Sequence, residues 1–335
     1  MGKTRVTILT GFLGAGKTTV LNHLLTQELG RGSAVIVNEF GEVSIDAQLV
    51  VGVEEDVVEI NNGCICCTVR ADLVSTIERL LARPRPIERI LVETTGLADP
   101  APIIQSFVLD ETLRKETVLD GVVTVVDARH IGRWLSQGRR DEAEGRENTP
   151  AEQIAFADLL LLNKTDLVDE AALAECEDEL RRLNPLAQIL PISHGTVDAA
   201  RVMDVAAFDL QKILRLEPGL LTDLDHSHDE AIVSVAVRPG APLDREAFFH
   251  WLTRFTQAKG GDLLRVKGII ALEGERRRYV FHGVHMTLDG RPGRPWGDEE
   301  DRRGEIVFIG RRLDPAEIEA AVHRCVASAA LRVVA

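Results

Sequence analysis

The sequence predicts a doubly wound α/β domain on a mostly parallel sheet, followed by a smaller α+β domain. Three observations carry that expectation. Apolar runs alternate with helical patterns from residue 4 to about 210, as repeated strand–helix units do. The runs Ile90–Val92, Gly121–Val126 and Leu159–Leu162 are apolar throughout, as strands covered on both faces must be. After the polar tract Asp223–Glu230, the stretch Ala231–Arg238 alternates with period two. The expected division of the 335 residues is a first domain at 1–222, a linker at 223–230 and a second domain at 231–335. Two domains suit that length, at roughly 100–200 residues each.

Residues 4–10 read as a buried strand, followed by a glycine-rich turn. Val20, Leu21, Leu24 and Leu25 then give a helical pattern that ends near Gly30. Ser33–Val37 and Val57–Ile60 are further strands, the latter closed by the turn signal Asn61-Asn62-Gly63. Helical spacing covers 69–82 and stops at Pro84, and it returns at 150–157 and 169–183. The charge-rich tract Gly138–Thr149 reads as a surface loop, and Ala187–Pro191 as one more strand. In the second half, 245–257 is helical, with Phe248, Phe249, Leu252 and Phe255 on one stripe. Strands are expected at Leu263–Leu272, Arg278–Phe281 and Ile306–Ile309. A last helix begins after Asp314, an N-cap residue, with Pro315 in its first position.

Composition narrows the function. Hydrophobic residues make up 45% and charged ones 27%, which suits a globular chain with a full core. A formal charge of −14 argues against a general nucleic-acid binder. Every apolar run is shorter than the roughly 20 residues that span a bilayer, so no membrane association is expected. The stretch Thr4–Leu9 is strand-like and lacks the features of a signal peptide, so the cytoplasm is the expected compartment.

Gly11-Phe12-Leu13-Gly14-Ala15-Gly16-Lys17-Thr18 satisfies the phosphate-binding pattern GxxxxGK[ST], between an expected strand and an expected helix. Its glycines let backbone N–H groups face one phosphate, with the helix dipole adding to the attraction. The candidate phosphate ligands are Gly14, Ala15, Gly16, Lys17, Thr18 and Thr19. Lys17 would reach the β- and γ-phosphates, and the Thr18 hydroxyl would coordinate Mg²⁺. Glu93, at the end of the run Ile90–Val92, is a candidate for Mg²⁺ binding and catalysis, and Gly96 for sensing the γ-phosphate.

Asn163-Lys164-Thr165-Asp166 follows the run Leu159–Leu162 and matches the NKxD pattern of guanine recognition. Guanine offers N1–H and N2–H₂ donors on one edge, and the Asp166 carboxylate can accept from both. Adenine places an acceptor at N1 and would be repelled. The Lys164 stem would pack on the base. Ser193-His194 follows the next strand, where guanine-binding proteins place a backbone contact, so Ser193 is a candidate for a further base contact. Asp127 reads as a structural acid at a strand end.

Three of the five cysteines, Cys64, Cys66 and Cys67, crowd into four positions. That is a poor disulfide framework and a good set of soft metal ligands. Three thiolates leave one position open, which suits holding and releasing a metal rather than a closed structural site. Cys176 and Cys325 lie alone on helical patterns and are expected in the core. Glu39 and Glu42, in Asn38-Glu39-Phe40-Gly41-Glu42, are candidates to bind Mg²⁺, to orient water or to lend oxygen to the cysteine-bound metal. His226-x-His228, flanked by acids, reads either as solvated linker or as an auxiliary metal site.

The order Gly11–Thr19, Asn38–Glu42, Gly63–Cys67, Glu93–Pro100 and Asn163–Asp166 resembles that of the CobW-like P-loop GTPases, relatives of the GTPases that insert nickel into urease and hydrogenase. Leu263–Gly268, Arg294–Asp298 and Val307–Gly310 resemble that family's C-terminal domain, so the likeness runs through nearly the whole chain. The resemblance implies a GTP-hydrolysing metallochaperone that carries zinc, or else cobalt or nickel, on Cys64, Cys66 and Cys67. It also implies a client metalloprotein, with the smaller domain selecting that client or mediating self-association. One departure is Val37, where close relatives often carry Glu. Two rivals are a regulatory GTPase with a purely structural zinc and a P-loop ATPase or kinase with redox cysteines.

Overall fold

The computed structural model describes residues 3–27, 33–39, 57–61, 68–84, 86–144, 148–203, 232–297, 300 and 302–327. The chain divides into two compact units. The first is built on a seven-stranded sheet, with all described pairings parallel. In chain order its elements are β1 (Thr4–Thr10), α1 (Lys17–Thr26), β2 (Ala34–Glu39), β3 (Val57–Asn61), α2 (Thr68–Leu81) and β4 (Arg89–Thr94). There follow α3 (Ala101–Leu109), α4 (Glu111–Glu116), β5 (Thr117–Asp127), α5 (Ile131–Ala143), α6 (Thr149–Ala155), β6 (Leu159–Asn163), α7 (Glu170–Leu183), β7 (Gln188–Pro191) and α8 (Ala199–Val202).

The strand order is β3-β2-β4-β1-β5-β6-β7. Central strands are apolar because both faces are covered: Leu159 to Leu162 in β6 are all fully buried. Truncating one such leucine to alanine should cost about 2–5 kcal/mol through lost burial and a residual cavity. Helix α1 packs Val20, Leu21, Leu24 and Leu25 into the same core as Leu9, Val35, Leu91, Val123 and Leu161. Because every strand runs the same way, all seven carboxyl ends meet at one edge, where such sheets bind ligands.

One reading is corrected here. The tract Gly138–Thr149 is only in part a loop: α5 continues through Ala143, and α6 begins at Thr149. Arg139 and Arg140 lie on the solvated side of α5, whose buried side carries Ile131, Leu135 and Gly138. Helices α3 and α4 carried no separate expectation; α4 is started by Asp110, whose side chain accepts from Leu113 N.

The second unit is an antiparallel five-stranded sheet of order β11-β10-β9-β12-β8. It comprises β8 (Ile232–Val237), α9 (Arg245–Lys259), β9 (Leu263–Ile270), β10 (Arg277–Val284), β11 (Thr287–Pro295), β12 (Glu305–Arg311) and α10 (Pro315–Arg324). Phe248, Leu252 and Phe255 of α9 and Ile318 and Val322 of α10 share one core with Val266, Phe281 and Phe308 of the sheet. Asp314 caps α10 as expected, accepting from Ala316 N and Glu317 N. Strand β11 escaped the reading because Gly290, Pro292, Gly293 and Pro295 erase its pattern. Such residues suit a sheet edge, where β11 lies.

Glu300 clasps this unit. It accepts from Arg278 at 2.6 and 2.7 Å, from Arg294 at 3.0 and 3.1 Å and from Gly297 N at 2.9 Å. Burial opposes the ionised carboxyl, but these donors prevail and hold its pKa down at about 2. The Arg278 guanidinium also lies 4.8 Å from the ring centre of Trp296. Among the described residues, no helix is long and apolar enough to cross a membrane.

Candidate nucleotide and metal site

The phosphate loop leaves the carboxyl end of β1, at the middle of the sheet, and enters α1 at Lys17. Gly16 caps the helix at φ +101°, and a Cβ there would stand 2.6 Å from Asn163 Nδ2. Glycine is thus required both by the left-handed backbone and by the approach of the neighbouring loop. Around Gly14 nothing lies within 4 Å of where a Cβ would be, so the loop is open on that side. Lys17, nearly buried, donates from Nζ to Gly11 O at 2.9 Å and Phe12 O at 3.4 Å. Thr18 Oγ1 donates to Glu93 Oε1 at 2.9 Å. Hydroxyl and carboxylate are the oxygen ligands that Mg²⁺ prefers, so this pair fits that ion.

Glu93 is buried near the end of β4, opposite Val37 of β2 in the parallel register. Val37 is itself buried in the first core, so its side chain serves packing. Beyond β4, Gly96 lies hard against the phosphate loop: a Cβ there would come within 2.8 Å of Leu13 Cδ2 and 2.9 Å of Leu13 N. Gln153 of α6 donates to Gly96 O at 3.2 Å and Ala98 O at 3.0 Å, tying this turn down.

At the other end, Asn163 links three loops. Its Nδ2 donates to Ala15 O at 2.9 Å, and its Oδ1 accepts from Gly195 N at 3.1 Å. Lys164 adopts φ +65° and sends Nζ to Gly14 O and Asp127 Oδ2, both at 2.7 Å. Asp127, at the end of β5, also holds His130 Nδ1 at 2.9 Å. Burial would raise the Asp127 pKa, but Lys164 and His130 outweigh it and lower the pKa below 3.8. Thr165 Oγ1 and Ser193 Oγ lie 2.8 Å apart, and Asp166 Oδ2 is 3.7 Å from His194 Nε2.

Lys17, Thr18, Glu93, Gly96, Asn163, Lys164, Asp166 and Ser193 therefore gather along one edge, around Gly14, Ala15 and Gly16. Thr19 is exposed on the first turn of α1. Glu39 ends β2 at the same edge, one residue past the Asn38–Thr94 pairing. Glu42, Cys64, Cys66, Cys67, His226 and His228 lie outside the described residues, as does the tract 223–230. Among the described residues, no group of three His, Cys, Asp or Glu side chains could hold a metal. Cys325 is buried as expected, and Cys176 is only half-buried. Burial raises both thiol pKa values, which keeps them protonated and poor metal ligands.

The sequence marks Asp127 only as a structural acid and gives His130 and Gln153 no role at this edge, whereas Ser193-His194, expected to offer a backbone contact, borders the Asn163–Asp166 turn. A signal for Asp127 was present: it and Asn163 each end an apolar run, and the two are register partners in the sheet.

A parallel sheet with a glycine-rich loop and its lysine at the central strand, and an Asn-Lys-x-Asp turn two strands away, defines a P-loop GTPase. The chain belongs to the CobW/HypB/UreG family, whose nucleotide-binding domain matches residues 5–191. The cobalamin synthesis protein cobW C-terminal domain matches residues 232–326. The zinc chaperone YjiA of Escherichia coli is 36% identical over 326 residues, covering 96% of this chain and 98% of the relative. The zinc chaperone CobW of a Sinorhizobium species is 34% identical over 350 residues, covering 96% and 97%. The crystal structure of the Zn(II)-bound YjiA GTPase of E. coli superposes with a TM-score of 0.73 at 29% identity, covering 97% of this chain and 99% of that one.

Proposed function

We propose that this chain is a cytoplasmic metallochaperone that couples GTP hydrolysis to binding and handing over a divalent transition metal, with zinc as the leading cargo. Cobalt and nickel remain alternatives of similar ligand chemistry. The observation that carries the coupling is the strand order β3-β2-β4-β1. The segment bearing Cys64, Cys66 and Cys67 leaves the carboxyl end of β3. Glu93 stands near the same edge two strands away, and the phosphate loop three strands away. At about 4.8 Å per strand, those separations are roughly 10 and 14 Å. The zinc chaperone relatives support the same cargo.

In this reading Asp166 accepts from guanine N1–H and N2–H₂, and Lys164 lies along the base. The backbone N–H groups of Gly14, Ala15, Gly16, Lys17, Thr18 and Thr19 take the phosphates. Lys17 turns from its carbonyl partners to the β- and γ-phosphates. Thr18 and Glu93 would hold Mg²⁺, an ion that neutralises charge developing on the phosphate oxygens. Water attacks the γ-phosphorus in line; the bond to the β–γ bridging oxygen breaks, leaving GDP and inorganic phosphate. Glu42 is the candidate to orient that water, and Gly96 to register loss of the γ-phosphate. Glu39 and Glu42 would add oxygen ligands for Mg²⁺ or the cargo. Loss of γ-phosphate contacts would relax the turn at Gly96 and the segment 38–42, altering the ligands around the metal. The second domain, 231–335 beyond a linker at 223–230, would select the client metalloprotein or mediate self-association.

The test is zinc-dependent GTP turnover by the full chain. Phosphate release should respond to zinc in the unmodified protein and not in Cys66→Ala. A zinc response that survives Cys66→Ala would remove the cysteine segment from the mechanism.

A further inference from the structure

We infer that Gln153 is a positioning residue for GTP hydrolysis: its side-chain amide fixes the peptide orientation of the Gly96 turn, and so whether that turn can receive a γ-phosphate. The inference rests on the reading that Gly96 registers the γ-phosphate. Thr95-Gly96-Leu97-Ala98 is a tight turn closed by Ala98 N, which donates to Thr95 O at 3.1 Å. Glycine is required at its second position, since a Cβ there would stand 2.8 Å from Leu13 Cδ2 and 2.9 Å from Leu13 N. Glycine also leaves the following peptide plane free to turn over, because no Cβ hinders it. Gln153 removes that freedom. Its Nε2 donates to Gly96 O at 3.2 Å and to Ala98 O at 3.0 Å, so both carbonyls face α6. A fully ionised phosphate only accepts hydrogen bonds. A turn pressed against the phosphate loop can serve it only with N–H groups forward and carbonyls turned away.

Gln153 is itself held in place. It is 1% exposed, and Thr124 Oγ1 of β5 donates to its main-chain O at 2.8 Å. Its side chain lines a small cavity together with Phe12, Leu13 and Ala15 of the phosphate loop. Turning the amide over would set Oε1 against two carbonyl oxygens, so the bonds from Nε2 fix its sense. In that sense Oε1 is buried with no donor among the described residues. An unpaired buried acceptor is costly. A side chain kept for packing alone would be better apolar, and what the amide adds is the pair of bonds to the turn.

The test uses the full chain with two variants. Gln153→Met keeps the length and loses the donor; Gln153→Glu keeps the shape and sets a carboxylate against the two carbonyls. Isothermal titration should show a non-hydrolysable GTP analogue weakened by about 3- to 10-fold in both, the usual worth of lost neutral hydrogen bonds, with GDP affinity unchanged. Phosphate release at saturating GTP should fall by about 10- to 100-fold, because small misplacements weigh heavily on the chemical step. A packing role would not separate the two nucleotides. Equal loss of analogue and GDP in both variants, or full turnover in Gln153→Met, would overturn the assignment. Hydrogen exchange at the Gly96 and Leu97 amides separates it from the reading beneath it. In the unmodified protein these amides should exchange more slowly with the analogue bound than with GDP, and Gln153→Met should erase the difference. A difference that survives in Gln153→Met would overturn the role of Gln153 alone. No difference in the unmodified protein would overturn the γ-phosphate reading of Gly96 as well.

Discussion

Two lysines bond to carbonyls of the same loop, and their settings differ. Lys17 rests on Gly11 O and Phe12 O, which are neutral acceptors. Lys164 rests on Gly14 O and on the Asp127 carboxylate, which His130 also engages. Both lysines make charge-assisted hydrogen bonds, and Lys164 adds an ion pair with the Asp127 carboxylate. On the proposed reading a triphosphate would draw Lys17 to its β- and γ-phosphates, whereas the Asp127 carboxylate would keep Lys164 in place. The phosphate end of the site is then expected to move with the nucleotide, and the base end to stay.

Removing the mobile lysine should have the largest effect. Lys17→Ala should lower GTP turnover by about 10²–10³-fold, the scale for losing one preorganised group that stabilises transition-state charge. Phosphate release measures it, and an unchanged circular-dichroism spectrum would show that the fold survives.

At the fixed end, Asp166→Ala should weaken GTP binding by about 1.5–3 kcal/mol, the range for hydrogen bonds to a charged group. Asp166→Asn should also improve binding of xanthine nucleotides, because xanthine carries an acceptor where guanine carries its N2 amino group. Competition binding reads both.

Asp127→Asn goes to the root of the contrast, because it removes the ion pair that anchors Lys164. GDP affinity should fall several-fold, within the roughly 0.5–1.5 kcal/mol of one hydrogen bond, and thermal stability should drop by a similar amount. The lowered pKa of Asp127 adds a pH signature. Its contribution to stability is full above the unfolded value of 3.8 and is lost as pH falls through the folded value.

The smallest effect on activity should come from the second unit. Glu300→Gln breaks a clasp on Arg278 and Arg294 and should cost about 1–3 kcal/mol of that unit's stability, with GTP turnover unchanged. In the unmodified protein this stabilisation should fade between pH 4.5 and about 2, which an acid unfolding series would show.

The distinction between fixed and mobile was only half legible in the sequence. The Asn163–Asp166 turn, the phosphate loop and Glu93 were readable because each follows a continuous apolar strand and carries residue types that backbone geometry and ligand chemistry both restrict. The Asp127–Lys164 link was not, because it joins residues 37 positions apart and depends on β5 and β6 being neighbours. Helix α5 was masked by the charge of its solvated side, and β11 by glycine and proline. The Ser193-His194 segment was legible by its place after a strand, but the left-handed backbone of His194 was not, since such a histidine is indistinguishable from an ordinary loop residue until the backbone is seen.

If the phosphate end moves with the nucleotide and the cysteine segment shares its edge, metal and nucleotide must feel each other. Typical coupling between two sites is about 1–3 kcal/mol, or roughly 5- to 150-fold in affinity, and it is reciprocal. Isothermal titration of zinc into the protein holding a non-hydrolysable GTP analogue, and again holding GDP, measures this directly. The account predicts zinc affinities that differ by such a factor, an equal shift of nucleotide affinity by zinc, and loss of both shifts in Cys66→Ala. Identical zinc affinity in the two nucleotide states would contradict it and reduce the cysteine segment to a structural site.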